Sequence, residues 1–222
     1  MFFNRWHPEV AIRYLPIVSE IKKLDRPKVL EVGAGGLGIA PYLNLPVTGL
    51  DTQFNPPFHP KLEKRVGSGL KIPFPDKSFD VVISVDTLEH ISPKDRPKVI
   101  QEMRRVAKKE IIIAVPTGEG SLEQDKKLSL EYQKIHREPY HFLEEQIGFG
   151  LPGEDEIKSA MGDNVRVEKN EPLALRNFLM RGWMSKSFPV KVFYWKILLL
   201  TIPLFKLFDR PPFYRMIFYK TL

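Results

Sequence analysis

Apolar residues recur along this chain in two rhythms. Between His7 and Leu24, Val10, Tyr14, Ile17, Val18 and Ile21 fall at helical spacing. A helix is expected there, bent at Pro16. Short apolar runs of strand length follow at 28–32, 46–50, 62–66, 80–85 and 109–115. Continuous runs, rather than alternating ones, are the pattern of parallel strands buried on both faces. Between the last two runs, Ser92 predicts a helix N-cap, Pro93 the first helical position, and Asp95 lies three residues after the cap. Val99, Ile100, Met103, Val106 and Ala107 give that helix one apolar stripe. A turn-rich boundary, Gly148 to Gly153, precedes a second helix over Glu154–Met161 with acidic residues in its first turn. Strand propensity returns at Val165–Glu168 and Phe213–Lys220. Strands alternating with helices predict an α/β domain with a largely parallel sheet, which binds ligands at the carboxyl ends of its strands.

Composition narrows this little. A chain of 222 residues suits one α/β domain with a modest addition. With no cysteine, a disulfide scaffold and thiolate metal sites are excluded. The N-terminal Met1–His7 is too short and polar for a signal peptide, so a cytoplasmic location is expected.

The most informative local pattern is Val29-Leu30-Glu31-Val32-Gly33-Ala34-Gly35-Gly36-Leu37-Gly38, followed by a helix-like stretch, Ile39–Leu43. An apolar strand ends in a carboxylate, and the glycines let the backbone turn sharply and approach a ligand. Asp51 closes the next apolar run twenty residues after Glu31, where a carboxylate can accept hydrogen bonds from ribose hydroxyls. Gly33, Gly35 and Gly38 also fit the dinucleotide pattern G-x-G-x-x-G. Glu31 argues against that reading. It would repel a pyrophosphate but suits a cationic amino-acid group, as on S-adenosylmethionine.

From Arg26 to Pro116, about two-fifths of its length, the chain resembles the class I S-adenosylmethionine-dependent methyltransferases, in particular the type 11 group. Four blocks in order carry the resemblance: Leu30–Gly35, Asp51, Val66–Ser84 and Val85–Ile91. It departs at Leu37, where the family often has a third glycine, and at Ser68, where it usually has Asp or Glu for the adenine amino group. The resemblance implies a Rossmann-like seven-stranded sheet, mostly parallel with the last strand antiparallel and flanked by helices. It also implies a helical insertion, aromatic and basic, before that strand. The implied layout is a single domain: an N-terminal helix (1–25), a cofactor-binding core (26–116), a substrate-side region (117–171), the insertion (172–211) and the final strand (212–222). S-adenosylmethionine is the implied cofactor. Its expected contacts are Glu31, Gly33, Ala34, Gly35, Asp51, Thr52, Ser68, Gly69, Leu70 and Asp86.

Charge sets the insertion apart. Residues 176–222 hold nine Lys and Arg against one acidic residue, Asp209, and 12 of the 25 aromatics, whereas residues 1–175 are nearly balanced. The stretch Val192–Phe208 has too short an uncharged run to span a bilayer, and Pro203 interrupts it. Two readings stand side by side: residues 176–215 rest on an anionic membrane surface, with aromatics immersed and lysines reaching lipid headgroups, or they cover a protein core.

Methyl transfer from a sulfonium works chiefly by alignment. A base is required only where the nucleophile must lose a proton. The candidates are His90, His136 and His141, with Asp86, Glu89 and Glu138 as neighbours. Each also has a structural alternative, as a backbone-bonding residue at a helix start or turn. The i,i+5 spacing of His136 and His141, with Pro139 between, argues against a metal site, and none is expected. The function read from the chain is methylation of a small-molecule, glycan or lipid-linked acceptor, at the cytoplasmic membrane face where residues 176–215 rest on lipid. Alternatives are a non-catalytic membrane adaptor with a relic fold, an RNA methyltransferase suggested by the basic tail, and, least favoured, a nicotinamide dehydrogenase. No nucleic-acid partner is expected, because no separate RNA-binding module is evident.

Overall fold

The computed structural model describes residues 7–198, 200–202, 205 and 210–222. The reading of the first residues as no signal peptide, and part of the Val192–Phe208 stretch including Pro203, therefore lie outside the described residues.

The chain opens with helix α1 (Pro8–Ile21). Ala11, Tyr14, Ile17, Val18 and Ile21 are its buried apolar stripe. The helix runs through Pro16, which has no N–H to offer the Ile12 carbonyl. The Asn170 side-chain amide donates to that carbonyl instead, at 3.3 Å.

Strands β1 (Val29–Val32), β2 (Val47–Asp51), β3 (Leu62–Val66), β4 (Phe79–Val85), β5 (Ala107–Pro116), β6 (Arg166–Pro172) and β7 (Phe213–Thr221) form one sheet in the order β3-β2-β1-β4-β5-β7-β6. All pairs among β1 to β5 are parallel, and β7 runs antiparallel to both β5 and β6. Alternate residues of the central strands feed two cores. Val81, Ile83 and Ile112 meet α1 on one face. On the other, Val82, Ile111 and Ile113 meet helix α2 (Arg96–Val106) and helix α5 (Glu154–Met161). Burial on both faces explains the unbroken apolar runs. The edge strand β3 departs from that pattern, since only Leu62 is buried and the rest of Leu-Glu-Lys-Arg-Val is exposed.

Helices α3 (Glu119–His136), α4 (His141–Phe149) and α6 (Leu173–Met184) pack together around Leu128, Leu143 and Met184, with Tyr132, Tyr140 and Trp183 against them. Arg137 ends α3 in the left-handed conformation, so His136 and His141 sit on different helices. A short helix α7 (Phe188–Val192) and a wider turn over Phe193–Ile197 follow α6 between β6 and β7.

Two expected helix features differ. Ile39–Leu43 is a turn, containing Pro41. Residues Ser92 to Asp95 form a turn closed by the Asp95 amide on the Ser92 carbonyl (2.8 Å), and α2 begins at Arg96 with Pro97 in its first turn. The buried Arg96 guanidinium fixes that start by donating from Nε to the Leu88 and Ile91 carbonyls, each at 3.0 Å. The turn-rich boundary is also shorter than read, because α4 continues through Phe149.

Candidate active site

The glycine loop leaves β1 at the carboxyl edge of the sheet. Gly33 and Ala34 donate their N–H groups to the Leu50 carbonyl of β2, at 2.8 and 3.3 Å. Gly33 has φ +79°, and a Cβ there would lie 2.1 Å from Thr87 Oγ1. A side chain is thus excluded twice, by conformation and by space. Gly35 differs: its φ is +55°, but among the described residues a Cβ would meet nothing within 4 Å, so the loop is open on that side. Its N–H donates to Asp51 Oδ2 at 2.8 Å, joining the loop to the tip of β2. Asp51 Oδ1 accepts from the Gln53 N–H at 3.2 Å, next to Thr52.

Glu31 is fully buried. One carboxylate oxygen accepts from the Tyr14 hydroxyl (2.7 Å) and the other from the Ile39 N–H (2.7 Å). Gly38 is required here, since its Cβ would lie 2.2 Å from Glu31 Oε2. Burial raises the Glu31 carboxyl to about 7, against the lowering effect of the two hydrogen bonds. Ser68, Gly69 and Leu70 follow the end of β3. The Ser68 hydroxyl is exposed and accepts from the Leu70 N–H at 3.2 Å, while Gly69 lies against Val32 and Val99.

Asp86 differs from its expected role as a cofactor contact. Its carboxylate is held by two fork-like bonds from Arg215, both 2.6 Å, and by Arg13 Nη1 at 2.8 Å. Two guanidinium charges hold it down to about 2 despite burial. Arg215 is itself fully buried and also bonds Glu171 at 2.6 Å. Arg13 also pairs with Glu9. A second buried group joins Arg176 to Asp125 (2.7 Å) and to the Tyr214 hydroxyl (2.9 Å). Sequence reasoning missed these arginines and their partners. A usable signal was present: Arg215 lies in a segment read as a strand, between apolar and aromatic neighbours, and a charge buried there requires a counter-charge.

The three histidines separate. His90 lies in a short helical turn after β4, its Nδ1 3.0 Å from Glu145 Oε2 and its Nε2 3.9 Å from Glu89 Oε1. Burial lowers its pKa from the ordinary value, with Glu145 acting in the opposite sense. Glu89 is buried with Oε2 unpartnered, and burial followed by the Asp86 charge pushes its carboxyl well up. His141 is exposed at the start of α4. His136 is not brought to this site: its Nε2 meets the Met184 carbonyl at 2.8 Å and its ring stacks on Tyr132, so it joins α3 to α6. Among the described residues, no cluster of three or more His, Asp or Glu could hold a metal ion.

Residues 30–115 match the family described as "Methyltransferase domain". An uncharacterised protein of Methanocaldococcus jannaschii is 28% identical over 54% of this chain and 61% of its own length, so the match spans less than two thirds of that relative. Two solved structures share the fold. A protein from an antibiotic biosynthesis pathway of Anabaena variabilis is 21% identical, with 96% of this chain and 99% of that one covered and a TM-score of 0.56. Phosphoethanolamine N-methyltransferase 2 of Haemonchus contortus, in complex with S-adenosyl-L-methionine, is 19% identical, with 94% and 51% covered and a TM-score of 0.57. The sheet order, the glycine loop and the match over residues 30–115 make this chain similar to class I methyltransferase domains. Its expected cofactor, S-adenosylmethionine, is the ligand in the Haemonchus contortus complex.

Proposed function

We propose that this protein methylates a hydroxyl or amine of a small-molecule, glycan or lipid-linked acceptor. In this reading the cofactor lies along the carboxyl edge of β1, β2 and β3. The observation that carries it is the open loop at Gly35, tied by its N–H to Asp51. One Asp51 oxygen is oriented by that bond, and the carboxylate keeps lone pairs for two ribose hydroxyls. Gly33 and Ala34 supply backbone close to the ligand, Thr52 flanks the ribose, and Ser68, Gly69 and Leu70 face the adenine. Ser68 takes the adenine amino group as a neutral acceptor. Glu31 supplies negative potential to the cationic amino-acid end from beneath the loop, without touching it. Asp86 instead orients Arg13 and Arg215.

When bound, the cofactor supplies an activated methyl group on a sulfonium. His90 is the candidate base. With Nδ1–H given to Glu145, its Nε2 carries the lone pair that accepts the acceptor's proton. Its lowered pKa keeps it neutral at pH 7. His141, near the same helical turn, is the second candidate, and His136 is assigned a structural role.

The region between β6 and β7 supports docking on an anionic membrane. Phe188 and Leu200 are 77% and 73% exposed, among Lys186, Lys191 and Lys196. Among the described residues no helix is long and apolar enough to cross a membrane, so the contact would be superficial.

The test is calorimetric titration with S-adenosylmethionine and S-adenosylhomocysteine. Micromolar binding of both, weakened at least tenfold in Asp51→Asn, is expected; equal binding in that variant refutes the site. Co-sedimentation with vesicles containing phosphatidylserine, reduced in a Phe188→Ser, Leu200→Ser double variant, tests the membrane contact. Equal pelleting of both proteins refutes it.

A further inference from the structure

The carboxyl edge of the sheet holds the candidate active site; the opposite edge carries a different chemistry. Where β5 begins, at Ala107 and Lys108, a hollow of about 460 Å³ opens between the end of α2 and the turn before β4. Its lining holds four cations, Lys77, Arg104, Arg105 and Lys108, and no Asp or Glu. The segregation is local, because residues 1–175 are nearly balanced in charge. Helix-end electrostatics account for part of it: Arg104 and Arg105 lie in the last turn of α2, where a cation answers the helix dipole. That dipole amounts to roughly half a charge and leaves most of the quartet unexplained.

The four cations are not alike. Arg105 is spent on structure: it holds Asp76 and Glu102, each at 2.8 Å, and donates to the Phe74 and Ile72 carbonyls. Asp80, the carboxylate whose field Lys108 feels, is paired with Lys109 at 3.1 Å. Lys77, Arg104 and Lys108 are exposed, and among the described residues none of them has an ion pair or a side-chain hydrogen bond. Lys77 has a φ of +51°, uncommon for a residue with a side chain, and its N–H donates to the Arg105 carbonyl at 2.9 Å, which pins its turn to the end of α2. Gly162, just past α5, leaves the Arg104 guanidinium uncovered, since a Cβ there would lie 3.5 Å from Nη1.

We propose that this hollow binds a phosphoryl group, with Arg104 as the forked donor and Lys77 and Lys108 as flanking charges. Three unpaired cations gathered on one hollow repel one another, and an anion seated among them relieves that repulsion. A phosphoryl group brings about −2 charge at pH 7 and three strong acceptor oxygens, which suits three cations better than a lone carboxylate does. The guanidinium meets phosphate oxygens in pairs, and the lysines add point charge. The hollow lies across the sheet from the glycine loop, so the proposal stands or falls independently of the cofactor placement above. A free phosphate compound and a phospholipid headgroup share this chemistry.

The test is calorimetric titration of the full chain with inorganic pyrophosphate at low salt. Submillimolar binding is expected, weakened about tenfold or more in the triple variant Lys77→Gln, Arg104→Gln, Lys108→Gln. Arg104→Lys, which keeps the charge but loses the fork, retains part of the affinity. A control triple variant, Lys22→Gln, Lys94→Gln, Lys134→Gln, removes the same charge at other exposed positions and binds as wild type does. Melting followed by circular dichroism checks that both triple variants are folded. Vesicles containing phosphatidic acid separate the two sources: pelleting that falls in the first triple variant but not in the control supports a lipid headgroup, and equal pelleting supports a free phosphate compound. Absence of pyrophosphate binding in wild type overturns the proposal, even where a single-stranded RNA binds. Equal weakening in both triple variants overturns it too, since that is the mark of net charge alone.

Discussion

If the cofactor binds as proposed, Glu31 should make that binding a proton-releasing event near neutral pH. Its carboxyl titrates at about 7, because burial outweighs the bonds from Tyr14 and Ile39, with the Asp51 charge adding to the rise. At pH 7 about half of the molecules therefore hold a proton there. Bringing an ammonium and a sulfonium near the loop favours the carboxylate, so binding should expel up to ~0.5 proton per site. The assay is calorimetry at pH 7 in buffers of different ionisation enthalpy, where the slope of observed enthalpy counts protons. Glu31→Gln should bring the slope to zero and weaken binding. The same carboxyl has a stability signature. Its folded pKa is raised, so its stabilising contribution is complete below about 4.5 and is lost as pH rises through about 7. The interval limits the loss to roughly 3 kcal/mol. Urea titrations at pH 5 and pH 8 should show wild type losing stability over that range more than Glu31→Gln does. A zero slope in wild type, or an identical slope in Glu31→Gln, would refute the reasoning.

Other perturbations follow from the same geometry. Arg215→Met strips buried Asp86 and Glu171 of their counter-charge and should cost about 3–5 kcal/mol in urea unfolding; a loss under 1 kcal/mol would show that the cluster relaxes into water. Gly33→Ala should abolish cofactor binding through its collision with Thr87, visible as a lost calorimetric signal in a folded sample by circular dichroism. If His90 is the base, activity on an identified acceptor should fall on the acid side of neutrality. Glu145→Gln should move that limb to lower pH, because Glu145 raises the His90 pKa, and should reduce kcat; an unmoved limb removes His90 from the chemistry.

Much of this architecture was legible because one physical rule dominates it. Strands covered on both faces must be apolar throughout, and β1, β4 and β5 announced themselves that way. That Glu31, the glycines and Asp51 meet at one edge of the sheet was legible because their spacing is fixed by a strand, a turn and a second strand. The misreadings arise where tertiary contacts override local preference. Ser92-Pro93 has good helix-start chemistry, yet the buried Arg96 anchors the chain so that the helix begins later. Asp86 was expected to face the ligand because of its position at the strand end. What redirected it, Arg215, is 129 residues away and carries no local mark of that pairing. Helix α3 went unread because its buried positions are few and mix polar with apolar residues, such as Ser121 and Asp125. His136 resembled a catalytic candidate in a polar, aromatic run until its partner on α6 was in view.

The charge cluster over β4 also sets a timetable for synthesis. Its members come from α1, the end of β4, β6 and β7, so a chain still growing on the ribosome holds Asp86 and Glu171 long before Arg215 exists. Until β7 emerges, Arg13 is the main cation near Asp86, and the sheet lacks the strand that separates β5 from β6. The nascent protein can therefore gather its glycine loop and Asp51 early, yet it completes the charge cluster beneath them only with β7. Interrupted synthesis would leave fragments with the glycine loop and Asp51 assembled but with exposed, uncompensated carboxylates, poorly suited to persist as folded protein.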